Sequence, residues 1–295
     1  MSKILITGGT GGLGSAVANF LSEKVDKADI ALLVRDPKSE KAMELAEKGF
    51  SLRVGDYSHK ASLKDAFKDI EILYFVSGSD IANRMPQHKN VVEVADEAGI
   101  AHIFYTSVSL NQLSEDSALY NDMKAHFNTE EWIKNSQMKY TFLRHNLYSE
   151  VIAMFLGSKD QLLNSKSVFL PTEQGKVAFL PRIDLAEAGA KLLAEASEHV
   201  NKVYELNGSE KVSFEDVAQE LSTITGENIN YVSPGVEEFE STLKGYGVPA
   251  EYIGMMSAFG QAIAADAFDT PKTDIEAIIS RKTQPVAEFL KAVYS

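Results

Sequence analysis

The sequence predicts an α/β fold, a doubly wound parallel sheet followed by a smaller α/β lobe, and three observations carry that expectation. Short runs that are apolar at every position, such as Ile4–Ile6 and Ile30–Val34, alternate with amphipathic stretches through the first half of the chain. A parallel sheet covered by helices on both faces requires this pattern. The run Thr7-Gly8-Gly9-Thr10-Gly11-Gly12-Leu13-Gly14 joins the first apolar run to the first amphipathic one. Beyond residue 150 the alternation turns irregular, and Pro249, Pro271 and Pro285 break the last helical stretches.

Taken in order, Ile4–Ile6 is a strand and 15–24 a helix. Ile30–Val34 is a strand ended by Arg35-Asp36-Pro37, 40–48 has helical periodicity, and Asp36 is expected to cap that next helix because Pro37 fits a first helical position. Ser51–Val54 reads as a strand, 62–67 as a helix and 70–76 as a strand. An amphipathic helix over 87–98 is closed by Gly99. Strand, helix and strand follow over 100–106, 125–135 and 139–144. In the second half, 151–163 reads as one helix, and 168–170 and 177–180 as short strands. A helix over 184–196 is expected to be capped by an acid, and 203–206 is a strand. Phe214–Thr225 is a helix ending at Gly226, and 229–232 is a strand.

Composition narrows the function. The 295 residues are 44% hydrophobic, enough for a sizeable core. The absence of cysteine excludes disulfides, thiolate metal sites and cysteine nucleophiles. The net charge of −13 opposes binding to nucleic acid or to an anionic membrane. The start MSKILITGG lacks the pattern of a signal peptide, and no apolar run is long enough to span a bilayer. A cytoplasmic location is expected. The six histidines show no H-x-x-x-H or H-E-x-x-H spacing, so no metal is expected.

The glycine run carries the chemistry. A helix start offers free N–H groups and the positive end of its dipole, an arrangement suited to a pyrophosphate. Gly8 permits the turn, Gly11 and Gly12 let backbone approach phosphates beside Thr10 and Leu13, and Gly14 lets helix and strand pack closely. The expected division is therefore an NAD(P)-binding Rossmann domain over 1–150 and a substrate lobe over 151–295, partly interleaved with the sheet. At the end of the second strand an acid would bind a ribose hydroxyl and a base a 2′-phosphate. Arg35 stands there, so NADPH is the expected cofactor. Asp56-Tyr57, Ser77-Gly78-Ser79 and Thr106-Ser107 lie at the ends of the next three strands, where ligands of open α/β sheets bind. Gln87 is expected to turn a neutral amide to the nicotinamide side.

Tyr120-x-x-x-Lys124 matches a pair in which lysine lowers the pKa of a proton-donating tyrosine. A glutamate four residues past the lysine would mark its register. Asn128 stands there, whereas Glu130 lies four residues after His126. In the register set by Glu130, Tyr120 and Lys124 leave the active face and His126 occupies it.

The glycine run, Leu33-Val34-Arg35-Asp36-Pro37, Gly55-Asp56-Tyr57, Pro86-Gln87-His88, Tyr105-Thr106-Ser107, His126-x-x-Thr129-Glu130 and Tyr140-Thr141-Phe142-Leu143-Arg144-x-x-x-Tyr148 form a set. This set resembles the NmrA-like group of atypical short-chain dehydrogenases, and within it the NAD(P)H:quinone oxidoreductase type 2 branch. The resemblance implies a Rossmann domain, NADPH at the glycine loop and a second lobe closing over the nicotinamide. It also implies that His126 matches the family's usual histidine. The family segment Leu-Arg-Asn-x-x-Tyr reads Leu143-Arg144-His145-Asn146-Leu147-Tyr148 here, so His145 replaces the asparagine and Asn146 follows one residue later.

Reducing a ketone makes a strongly basic alkoxide, whereas reducing a quinone makes a phenolate-like anion that a weak donor can serve. A chain without a secure Tyr-Lys pair therefore fits NADPH-dependent reduction of a quinone-like small molecule. His126, Tyr148, Asn146 and His145 are the candidate catalytic residues. The competing reading is a non-catalytic NADP(H)-binding redox sensor acting through a protein partner. Phe155, Phe169, Phe179, Tyr246 and Phe259 read equally as acceptor pocket or as core, and a homodimer is left open.

Overall fold

The computed structural model describes residues 3–295. The first half alternates as the apolar runs require. It contains β1 (Ile4–Ile6), α1 (Gly12–Leu21), β2 (Ile30–Val34), α2 (Glu40–Glu47), β3 (Ser51–Val54), α3 (Lys60–Ala66), β4 (Ile72–Phe75), α4 (Arg84–Glu97), β5 (His102–Val108), α5 (Tyr120–Lys134) and β6 (Lys139–His145). The second half contains α6 (Glu150–Leu156), α7 (Lys159–Ser165), β7 (Ser167–Phe169), β8 (Lys176–Val177), α8 (Arg182–Ala194), β9 (Lys202–Leu206), β10 (Val212–Ser213) and α9 (Phe214–Thr225). After these come β11 (Asn230–Val232), α10 (Val236–Gly245), α11 (Ala250–Ala264), α12 (Ile275–Ile279) and α13 (Val286–Tyr294).

Seven parallel strands form the central sheet in the order β3-β2-β1-β4-β5-β6-β9. This is a Rossmann-like doubly wound fold. Side chains alternate across the sheet. Ile4 and Ile6 join Val17, Leu21, Leu185 and Leu192 on one face, and Leu5 joins Leu73, Ile103, Leu63 and Val91 on the other. The third core belongs to the second lobe and gathers Phe155, Phe179, Phe214, Phe239 and Phe268.

The chain crosses between these units. β9 extends the sheet beside β6, and α8 and α12 pack against its α1 face. The crossing is clamped at the end of β6. There Asn146 Nδ2 donates to Asn207 Oδ1 at 2.9 Å, the Phe268 carbonyl at 3.0 Å and Thr270 Oγ1 at 3.1 Å.

Four local expectations need correction. The helix expected over 151–163 is two helices, because Gly157 turns left-handed (φ +76°) and Ser158 opens a new helix with Gln161 in a capping box. Asp36 does not cap α2. Its Oδ1 accepts the Lys38 N–H at 2.9 Å in a preceding turn, and Ser39 holds the cap position. Asp184 lies inside the first turn of α8 rather than at its cap, and its carboxylate binds Arg281 and the Gln284 N–H. The strand expected over 177–180 shortens to Lys176–Val177, with Leu180 bridging to Tyr148 instead.

Candidate cofactor and active site

The strand order reverses between β1 and β4, where ligands of open α/β sheets bind. The glycine loop fills that crevice. Gly8 adopts φ +62° and its carbonyl accepts the Gly11 N–H at 2.9 Å. A Cβ on Gly14 would lie 2.4 Å from the Gly8 carbonyl oxygen, so only glycine lets α1 approach the loop this closely. No side chain caps α1, and its first turn holds no acid. Its first N–H groups therefore remain available to an anion. A Cβ on Gly12 would meet nothing nearer than Arg182 Cδ at 3.7 Å. The cradle thus fits the diphosphate of a dinucleotide. Beside it, Thr10 is half-buried and Leu13 buried.

The neighbouring strand ends are shaped by hydrogen bonds. Arg35 is exposed at the end of β2 and makes no ion pair among the described residues. Asp56 Oδ1 accepts the Ser58 N–H at 2.7 Å. The Tyr57 hydroxyl is bonded to Thr7 Oγ1 at 2.5 Å and to the Val76 carbonyl at 2.9 Å, and burial raises its pKa. Thr106 Oγ1 accepts the Ser77 N–H at 2.9 Å. Gly78 is held twice, its N–H by His88 Nε2 at 2.9 Å and its carbonyl by Arg84 Nε at 2.7 Å. Ser79 is exposed, while Ser107 Oγ is buried without a partner. Gln87 Nε2 donates to Ser58 Oγ and Asp80 Oδ2, each at 3.2 Å, and its Oε1 lies 3.3 Å from where a Gly78 Cβ would stand.

A buried cluster lies behind Gly78. Arg84 Nη1 stands 3.2 Å from His126 Nε2, and His126 Nδ1 stands 2.9 Å from the Tyr105 hydroxyl. Guanidinium can only donate, so His126 Nε2 accepts and its proton sits on Nδ1. The Gly78 N–H likewise makes His88 Nε2 an acceptor, and His88 Nδ1 donates to Thr129 Oγ1 at 3.0 Å. Burial and the Arg84 charge hold His126 well below the usual histidine range and bring His88 down to about 3. Both rings are neutral near pH 7, and neither keeps a free nitrogen.

At the end of β6 the polar groups are looser. His145 Nδ1 lies 3.2 Å from the Tyr148 hydroxyl, its Nε2 is buried without a partner, and burial brings its pKa to about 3. Burial pushes the Tyr148 phenol up to about 12, against the pull of Arg182. The Arg182 guanidinium lies 4.7 Å from the centre of the Tyr148 ring. Asn146 is fully engaged in the clamp between the lobes, and its Oδ1 accepts the Leu147 N–H at 2.7 Å.

Tyr120 and Lys124 do not meet the site. The Tyr120 hydroxyl donates to Glu115, and Lys124 is exposed. The buried face of α5 carries Met123, His126, Thr129 and Glu130, with Glu130 held at both carboxylate oxygens by Arg144 at 2.9 and 2.7 Å. Phe155 and Phe179 are buried in the second lobe, Phe169 and Phe259 pack against that core, and Tyr246 is 81% exposed. Arg84 and Arg182 escaped the sequence reading, since nothing in their local spacing separates them from ordinary helix residues. Among the described residues no cluster of metal-ligating side chains occurs, and no helix is long and apolar enough to cross a membrane.

Comparison with known proteins adds to this geometry. A family model described as NmrA-like family matches residues 1–290. Quinone oxidoreductase 2 of Escherichia coli is 33% identical over 294 residues, covering 99% of each chain. An NAD(P)H azoreductase of Xenophilus azovorans is 26% identical, covering 98% of this chain and 97% of its own. Among solved structures, the E. coli NADPH-dependent quinone oxidoreductase complexed with NADPH superposes with a TM-score of 0.89 at 32% identity, covering 99% of this chain and 100% of that one. A Citrobacter triphenylmethane reductase complexed with NADP(H) gives 0.87 at 32% identity, covering 98% and 99%.

Proposed function

The chain belongs to the NmrA-like family, and from that premise we propose that it is an NADPH-dependent oxidoreductase whose acceptor is a quinone-like small molecule held beside Tyr148. Bound at the glycine loop, the cofactor supplies hydride. The observation that carries this reading is the placement of an uncapped helix start at the sheet's switch point, with a protonated phenol tied to a neutral histidine nearby.

Each side chain has a role in this reading. The N–H groups at the start of α1 bind the diphosphate, and Arg35 binds the 2′-phosphate and sets the preference for NADPH. Thr106, His88 and Arg84 fix the Ser77-Gly78 turn against the ribose side. Tyr148 donates a hydrogen bond to the acceptor oxygen as negative charge develops there. Burial pushes its pKa up to about 12, so it keeps its proton at neutral pH and is available to donate that hydrogen bond. His126 and Asn146 act as scaffold, because their polar atoms are already bonded within the protein. His145 holds the Tyr148 hydroxyl.

The test is steady-state loss of NADPH absorbance with small quinones and, separately, with simple ketones. Turnover of quinones and not ketones is expected. Turnover of a ketone with no quinone turned over would overturn the proposal, and binding of NADPH without turnover of any acceptor would favour the sensor.

A further inference from the structure

We propose that Arg182 is a cofactor-binding residue that completes the glycine cradle by supplying the positive charge the loop lacks for the dinucleotide diphosphate. This rests on the reading of the loop as a dinucleotide site and deepens it.

The loop from Thr7 to Gly14 contains no lysine or arginine, so it offers a doubly charged diphosphate backbone N–H groups, the helix dipole and a neutral threonine hydroxyl but no formal positive charge. Arg182 begins α8, which packs against α1, and that packing brings its stem to the loop. Its Cδ lies 3.7 Å from where a Gly12 Cβ would stand. Gly12 is the first residue of α1, at the positive end of its dipole.

The guanidinium is half-buried yet underused. Among the described residues no hydrogen bond leaves its nitrogens. Its contacts are the Tyr148 ring face at 4.7 Å and Glu150 Oε1, which stands 3.7 Å from Nη1, too far for a hydrogen bond. Glu150 spends its oxygens on the Arg182 backbone N–H, at 3.2 and 3.4 Å. Buried Arg84 and half-buried Arg144 differ, since Arg84 bonds Gly78 and His126, and Arg144 bonds Glu130 and Glu205. A planar fork with unspent donors beside an anion cradle matches a phosphate that presents two oxygens. The same guanidinium touches Tyr148, so one side chain joins the cofactor cradle to the proposed hydrogen-bond donor.

Calorimetric titration of the purified protein with NADP⁺ and NAD⁺ tests this without turnover. Arg182→Met keeps the stem and removes the charge, and it should weaken both dinucleotides by about 10- to 100-fold, the value of a charge-assisted hydrogen bond or two. Arg35→Ser should weaken NADP⁺ alone. Arg182→Lys retains a point charge and should fall between wild type and Arg182→Met. If Arg182→Met, folded by circular dichroism, binds both dinucleotides like wild type, or loses only NADP⁺, the assignment is overturned. If Arg182→Met does not fold, Arg182→Lys decides: wild-type affinity for both dinucleotides overturns the assignment. If wild type binds neither dinucleotide, the reading of the whole loop falls, and this proposal with it.

Discussion

Two polar clusters meet near the carboxyl ends of β4 to β6, and they are built on opposite terms. In the one formed by Arg84, His88, Tyr105, His126 and Thr129, the ring nitrogens, the Gly78 amide and the Gly78 carbonyl all have partners inside the protein. In the one formed by Ser107, His145, Tyr148 and Arg182, one hydroxyl and one ring nitrogen are buried without partners, and a guanidinium is held only by a ring face and a distant carboxylate. A satisfied buried network rigidifies, because each member is costly to move. A cluster with unspent donors binds, because a ligand can supply what is missing. Histidines draw the eye to the first cluster, yet the unpartnered polar atoms lie in the second.

Acid gives the largest test of that contrast. His88 and His145 are brought to about 3 and His102 to about 4 by burial, and His126 is held well below its ordinary value. The unfolded chain takes up these protons near pH 6.5 while the native state does not, so stability is full above that pH and falls as pH drops toward the folded values. His88, His102 and His145 should each contribute a loss of about 2 kcal/mol between pH 7 and pH 5, and His126 a further loss of the same sign. Urea unfolding at the two pH values measures it, and equal midpoints would break the picture of neutral buried rings.

Gly14→Ala attacks the open cradle. Its new Cβ would stand 2.4 Å from the Gly8 carbonyl oxygen and 2.8 Å from that of Thr7, so the loop must shift. NADP⁺ affinity should drop by more than about 100-fold, with overpacking costing about 1–3 kcal/mol of stability. Calorimetry and thermal melting separate the two effects. In the closed cluster, Arg84→Met strips donors from Gly78, Asp122 and His126 and should cost about 2 kcal/mol, read as a lower urea midpoint at an unchanged m-value.

Tyr148→Phe keeps the ring under Arg182 and removes the hydroxyl. Quinone turnover should fall about tenfold or more in kcat, with NADP⁺ affinity by calorimetry unchanged. His126→Gln is the smallest. It should cost about 1 kcal/mol of stability while leaving turnover within about threefold. A collapse of turnover in that variant, with stability intact, would move the chemistry from the open cluster to the closed one.

Much of this was legible in the chain. Period and glycine placement gave the strands, the cradle and Arg35 at the end of β2, because each depends on neighbours within a few residues. Glu130 gave the register of α5 and removed Tyr120 and Lys124 from the active face, since positions four apart share one face of a helix. The partners of Gln87, Ser58 and Asp80, were not legible, because packing and not local pattern brings them to α4. The helix break at Gly157 was missed, because the apolar pattern runs through it while the backbone turns left-handed.

The sequence by itself determined the parallel α/β sheet, the glycine cradle and the place of Arg35 at the end of β2, all products of local pattern. Only the tertiary structure decided that β9 returns to the sheet, that Asn146 clamps the lobes, that His126 is spent on Arg84 and Tyr105, and that Arg182 lies beside Gly12. Arg182 and Gly12 are far apart in sequence. What brings them together is the packing of α8 on α1 through the apolar core, and no local pattern encodes which polar side chains such a contact leaves face to face.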